Sequence, residues 1–153
     1  VPAVTAISFA GVAEARPNPA FIDAVADPHL VAIVICPSNP YLSIDPILAA
    51  PGVRESLQRA TVPVIAVSPI IGGKAVKGPT AKIMRELGID ITSSAIADHY
   101  GGLINGLVID ETDAADADRM DVRVAVTRTL MKNIDDRRNL ARAVLAFAKR
   151  LAA

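Results

Sequence analysis

A chain of 153 residues that is 52% hydrophobic fits one domain with a real core. Lysine and arginine together number 16, as do aspartate and glutamate, so no global field draws the chain to nucleic acid or to an anionic membrane. The single cysteine, Cys36, lies in an apolar run with no disulfide partner, no run approaches the ~20 residues that span a bilayer, and no basic segment precedes a signal-like core; a soluble protein in a reducing, cytoplasmic setting is expected.

In chain order, Val4 to Phe9 reads as a strand. Asn18 offers an N-cap with Pro19 at the first helical position, and Ile22, Val25 and Ala26 form the apolar stripe of a helix that Asp27 and Pro28 stop. Leu30 to Cys36 is apolar throughout and reads as a strand buried on both faces. Asp45 to Ala60 carries helical turns broken at Pro51 and Gly52, and Val62 to Ser68 is a further strand. Gly78 and Pro79 open a helix with Ile83, Met84 and Leu87 turned inward and Gly88 at its end; Thr92 or Ser93 caps another that runs to about Tyr100. Leu107 to Asp110 and Val122 to Thr127 are strands flanking the acidic segment "ETDAADADRM". The last helix starts near Asp135, packs Leu140, Val144, Phe147 and Leu151 on one face and turns Arg137, Arg138 and Lys149 away.

Apolar strands alternating with helices predict a three-layer, doubly wound, mostly parallel α/β sheet of Rossmann-like type. Because Val1 is followed within a few residues by a strand-like run, we expect the 153 residues to be one α/β domain or a part of a larger one. In such sheets ligands bind beyond the carboxyl ends of the strands, where loops diverge and helix N-termini present free N–H groups. Polar residues collect there: "CPSNPYLS", "VSPIIGGKAVKGPT", "VIDETD" and "VTRTLM".

In "PSNP", Pro37 and Pro40 restrict the backbone around Ser38 and Asn39, so the pair reads either as a stiff ligand grip or as a tight turn bonded to its own backbone. Gly72 and Gly73, with Lys74, Lys77, Gly78, Pro79 and Thr80, read as an anion cradle or as a surface loop with solvated lysines. The loop is not a P-loop, since Pro79 stands where the lysine belongs. Asp110, Glu111 and Asp113 suit a divalent cation or the cap of the following segment, and Thr127 and Thr129 are equally open. His99 suits acid–base chemistry, but no second histidine or cysteine stands near it in sequence. A nucleophile elbow, a dinucleotide fingerprint after the first strand and a paired-cysteine motif do not occur.

The segments "CPSNPYLSIDPILAAPGVRE", "VSPIIGGKAVKGPTAKIMRELG", "HYGGLINGLVID" and "TRTLM" closely resemble, in order and through nearly the whole chain, the C-terminal half of the 2-phospho-L-lactate transferase family of coenzyme F-420 biosynthesis. The resemblance implies a magnesium-assisted transfer. A phospho-acyl unit (phospholactyl, phosphoenolpyruvyl or phosphoglyceryl) passes from a guanosine diphosphate conjugate to the ribityl hydroxyl of the deazaflavin Fo, with release of GMP and in-line attack at phosphorus. It further implies a homodimer whose partners are these small molecules, with no nucleic acid or membrane.

Carried over by residue, the resemblance implies a substrate crevice of Ser38, Asn39, Pro40, Ser43, Ser68, Gly72, Gly73, Lys77, Gly78, Pro79 and Thr127, with binding roles and no proton transfer. It implies no metal ligand in this chain, because nothing matches the glycine-rich loop and acidic pair with which the family begins. The family's N-terminal half is thus expected to be missing here. The alternatives are a non-catalytic nucleotide- or deazaflavin-binding module and an unrelated doubly wound oxidoreductase domain.

Overall fold

The computed structural model describes residues 3–76 and 78–153. Its strands are β1 (Ile33–Ile35), β2 (Val64–Val67), β3 (Ile70–Ile71), β4 (Lys74–Ala75), β5 (Gly106–Asp110) and β6 (Arg123–Thr127). Its helices are α1 (Pro19–Val25), α2 (Asp45–Leu48), α3 (Val53–Gln58), α4 (Thr80–Glu86), α5 (Ser93–Tyr100) and α6 (Ile134–Ala152). A π-helical turn, Pro40–Ile44, precedes α2, and 3-10 turns occupy Val12–Glu14 and Glu111–Arg119.

Local chemistry sets these ends. The Asn18 side chain accepts from Ala20 N ahead of Pro19, Thr92 accepts from Ala95 N, and Asn133 accepts from Asp136 N, so each helix begins at a side chain able to satisfy a free N–H. Gly52, between α2 and α3, has φ 81°, a left-handed conformation that breaks the helical run where the sequence places Pro51–Gly52.

β1, β2, β5 and β6 form one parallel sheet in that order, paired through Ile33–Val64, Ile65–Gly106 and Gly106–Arg123. Every crossover steps in the same direction, and right-handed crossovers of that kind lie on one face of the sheet. Accordingly Leu48, Val53, Leu57, Ile83, Met84, Ile96 and Tyr100 share a core with Ala66, Leu107 and Ile109. α6 follows the last strand and covers the other face, where Leu140, Val144, Phe147 and Ala148 pack on Ile65, Val67 and Val108. Helices on both faces of a parallel sheet make the three-layer, Rossmann-like α/β architecture that the alternating pattern predicts.

Two expectations change. Val4 to Phe9 is not a strand: the segment joins no ladder, and its apolar residues Val4 and Ile7 pack on the larger core while Val4 N donates to Glu86 Oε2 at 2.9 Å. The run Leu30 to Cys36 gives a three-residue strand, and it is not buried on both faces, since Val31 is 69% and Val34 40% exposed. β1 is an edge strand among the described residues, with β2 on one side only, so its apolar pattern does not translate into burial.

Candidate functional site

The turn after β1 is built around Asn39. Its Oδ1 accepts from Tyr41 N at 3.0 Å and from Leu42 N at 3.1 Å, which caps the π-helical turn and fixes the amide's orientation. The Nδ2 group, left on the other side, is buried and finds no acceptor among the described residues. Asn39 therefore makes the backbone-bonded turn and also retains a free donor. Pro40 and Tyr41 are buried beneath it. Burial, and secondarily the Asp45 carboxylate, raises the Tyr41 phenol above its ordinary pKa. His99, on α5, bonds Asp45 Oδ1 through Nε2 at 2.8 Å and stacks edge-on to Tyr41, tying the turn to α5.

The tail of β2 carries Ser68, 1% exposed, whose Oγ accepts from Ile70 N at 3.2 Å and shares a 2.9 Å hydrogen bond with Ser93 Oγ at the start of α5. β3 and β4 then form a hairpin whose two turn residues, Gly72 (φ 58°) and Gly73 (φ 67°), supply the positive φ values of a type I′ turn. Their N–H groups donate to Asp113, at 2.8 Å to Oδ2 and 3.3 Å to Oδ1.

Asp110, at the end of β5, is 3% exposed. Its Oδ2 accepts from Thr129 N and Oγ1 at 2.8 and 3.1 Å, and its Oδ1 from Thr112 N and Oγ1 at 3.1 and 2.9 Å. Burial raises the pKa of this carboxyl, but the hydrogen bonds from Thr129 and Thr112 prevail and hold it below the usual value. Asp110 thus takes the capping role, and the bonds it makes fix the segment that follows β6.

These tails enclose a hollow of about 210 Å³ lined by Asn39, Ser68, Ile71, Thr80, Thr129 and Arg137, among others. A larger hollow, about 580 Å³, opens at the opposite end of the strands beside Asn105, Arg123 and Arg150. We place the site in the smaller one, where the carboxyl ends of β1 and β2 and the segment after β6 converge on a buried unpaired donor.

Of the residues expected at the site, Asn39 and Ser68 line this hollow, and Ser38 and Pro40 flank Asn39 in the chain. Ser43, Gly72, Gly73, Gly78 and Pro79 are exposed and do not line it, and Thr127 sits at the end of β6 paired with Asp110. Lys77 lies outside the described residues. Thr80, read from the sequence as part of the anion cradle, and Thr129, read as open, line the hollow, whereas sequence reading missed Arg137. Arg137 falls on the polar side of an amphipathic helix, a pattern that by itself means solvent, and only the closeness of the first turn of α6 to the tail of β2 makes it part of the hollow.

The residues present do not fit a magnesium ion. Both Asp110 oxygens and both Asp113 oxygens are engaged by protein donors, and among the described residues no group of three or more His, Cys, Asp or Glu could hold a metal. Among those residues, too, no helix is long and apolar enough to cross a membrane.

Comparison with known proteins identifies the family. Residues 2–147 match the family model described as 2-phospho-L-lactate transferase CofD. A phosphoenolpyruvate transferase of Streptomyces griseus is 36% identical over 152 residues, covering 97% of this chain and 47% of the relative. The 2-phospho-L-lactate transferases of Methanocaldococcus jannaschii and Methanothermobacter thermautotrophicus are each 38% identical, covering 87% and 94% of this chain and 42% and 46% of theirs. The chain thus spans about half the length of the relatives it matches. With a family model matched over 2–147 and the expected parallel α/β sheet beneath it, this chain belongs to the 2-phospho-L-lactate transferase family.

Proposed function

We propose that this chain forms the substrate-binding part of a transferase of coenzyme F-420 biosynthesis. The reaction moves a phospho-acyl unit from a guanosine diphosphate conjugate to the ribityl hydroxyl of Fo and releases GMP. The observation that carries the reading is the family match along residues 2–147. The names of the relatives, phosphoenolpyruvate transferase and 2-phospho-L-lactate transferase, support phospholactyl or phosphoenolpyruvyl as the transferred unit. The setting we propose is the cytoplasm and the working form a homodimer.

In this reading the chain's residues bind and orient, and none moves a proton. The hollow at the strand ends offers the Asn39 amide, the Ser68 and Thr129 hydroxyls and the Arg137 guanidinium within one concave surface. Of these, the Asn39 amide and the Arg137 guanidinium keep donors uncommitted to other described side chains, and donors of that kind favour the charge that grows on phosphoryl oxygens during transfer. We place the magnesium ion that assists such a transfer outside the described residues of this chain, because the Asp110 and Asp113 carboxylates are already engaged and no group of three or more His, Cys, Asp or Glu stands together among those residues.

The same engagement favours a second reading for the chain taken alone, a module that binds nucleotide or deazaflavin without turning it over. One experiment separates them. The chain is incubated with magnesium, Fo and guanylylated 2-phospholactate or phosphoenolpyruvate, alone and together with the remaining half of the S. griseus relative, and GMP is measured. GMP released only by the combination supports the transferase reading with the metal site elsewhere. Fo bound with no GMP in either mixture supports the binding module, and failure to bind Fo or nucleotide at all sinks both.

A further inference from the structure

We infer that Arg137 reads the anionic group of the donor and that Asn39 Nδ2 completes the grip within the same hollow. The inference rests on the transferase reading of that hollow and adds to it which residues recognise negative charge.

Among the described residues Arg137 is the one charged residue lining the hollow, and no carboxylate among them lines it, so an entering anion meets a cation there and no like charge. Neighbouring charges in the same turn of α6 are committed elsewhere. Asp135 Oδ1 pairs with Arg138 at 3.1 Å, and Asp136 Oδ2 accepts from Lys132 N at 2.9 Å. Arg137 takes part in none of the ion pairs among the described residues.

The other polar groups divide in an informative way. Ser68 Oγ is held by Ile70 N and Ser93, and Thr129 Oγ1 donates to Asp110. Both hydroxyls are thereby fixed in place by the protein. Asn39 Nδ2 is the contrary case, a buried donor without an acceptor, in an orientation its own Oδ1 cannot reverse without losing Tyr41 N and Leu42 N. An unpaired buried donor is costly, and an anionic oxygen is the partner that offsets it best. A guanidinium supplies the planar fork that matches phosphate or carboxylate. An exposed cation and a fixed amide lining the same hollow make a two-point site for such a group.

The test uses the 153-residue chain and four probes: GDP, 2-phospholactate, guanosine and Fo, titrated calorimetrically into wild type, Arg137→Ala, Arg137→Gln and Arg137→Lys. Affinity for GDP, 2-phospholactate or both should fall about tenfold or more in the Ala and Gln variants and partly return with Lys, while guanosine and Fo binding are unchanged. The anionic probe that weakens shows whether the nucleotide phosphate or the phospho-acid is read. Arg137 pairs with no carboxylate among the described residues, so the melting temperature should stay at its wild-type value, and Gln, which keeps part of the aliphatic stem and a polar end, gives a second folded variant. Anion binding unchanged in all three variants overturns the role of Arg137 and leaves the crevice reading standing. A wild-type chain that binds none of the four probes overturns both.

Discussion

Asp110 and Thr129 are joined twice, through Thr129 N at 2.8 Å and Thr129 Oγ1 at 3.1 Å, both to the same carboxylate oxygen. The tie crosses from the end of β5 to the segment after β6 and fixes one wall of the hollow. Asp110→Asn puts an amide where four donors expect acceptors, and we expect it to lower stability by about 1.5–3 kcal/mol, the range for hydrogen bonds to a charged group. Urea denaturation measures this. A midpoint equal to wild type would show that the buried carboxylate carries no stabilising bonds.

The same residue sets an acid limit. Its carboxyl has a lowered pKa in the folded state, so folding favours the ionised form. The stability it adds is present above the unfolded-state value and is lost as pH falls through the ordinary carboxylate range and below it. Melting temperatures recorded from neutral to acid pH should fall in wild type, and the part of that fall due to Asp110 should be missing in Asp110→Asn.

Asn39→Asp separates the two roles of Asn39. A carboxylate keeps the acceptor for Tyr41 N and Leu42 N, so the cap should hold while its second oxygen is buried without a donor and lowers the melting temperature, whereas Asn39→Ala should lose about 1 kcal/mol with the cap. Both variants remove the Nδ2 donor, and both should bind an anionic probe about tenfold more weakly. If Asp binds like wild type, Asn39 belongs to the turn alone.

Much of the fold is legible in the chain, and the readable parts are those set within a few residues. Asn18 before Pro19, Thr92 before Ser93 and the break at Pro51–Gly52 are local chemistry, and they appear where the sequence places them. Burial is not local. Val31 and Val34 look like core, yet are exposed because the far side of β1 has no neighbour among the described residues. Gly72 and Gly73 show a second limit: a hairpin turn and a ligand cradle both call for positive φ, and only the position of Asp113, forty residues on, reveals that their N–H groups are engaged. Arg137 is hidden for a third reason, since a helix wheel reports which side is polar and not what stands opposite it.

Gly106 packs closely under α6. A Cβ there would lie 2.6 Å from Phe147 Cε1 and 2.8 Å from Leu151 Cδ1, so Gly106→Ala forces the helix or the ring to move. We expect a loss of about 1–3 kcal/mol, as for other overpacked cores. Pairing it with Phe147→Leu should recover part of that loss, and a double variant no better than the single one would place the strain elsewhere.

One side of the sheet rests on a lone helix, and the opening turn of that helix also supplies Arg137 to the hollow. Holding a guest and keeping that layer seated are therefore linked through α6. Amide hydrogens along α6 should exchange more slowly once the crevice is filled, and variants that loosen Phe147 should weaken ligand capture from the far end of the same rod.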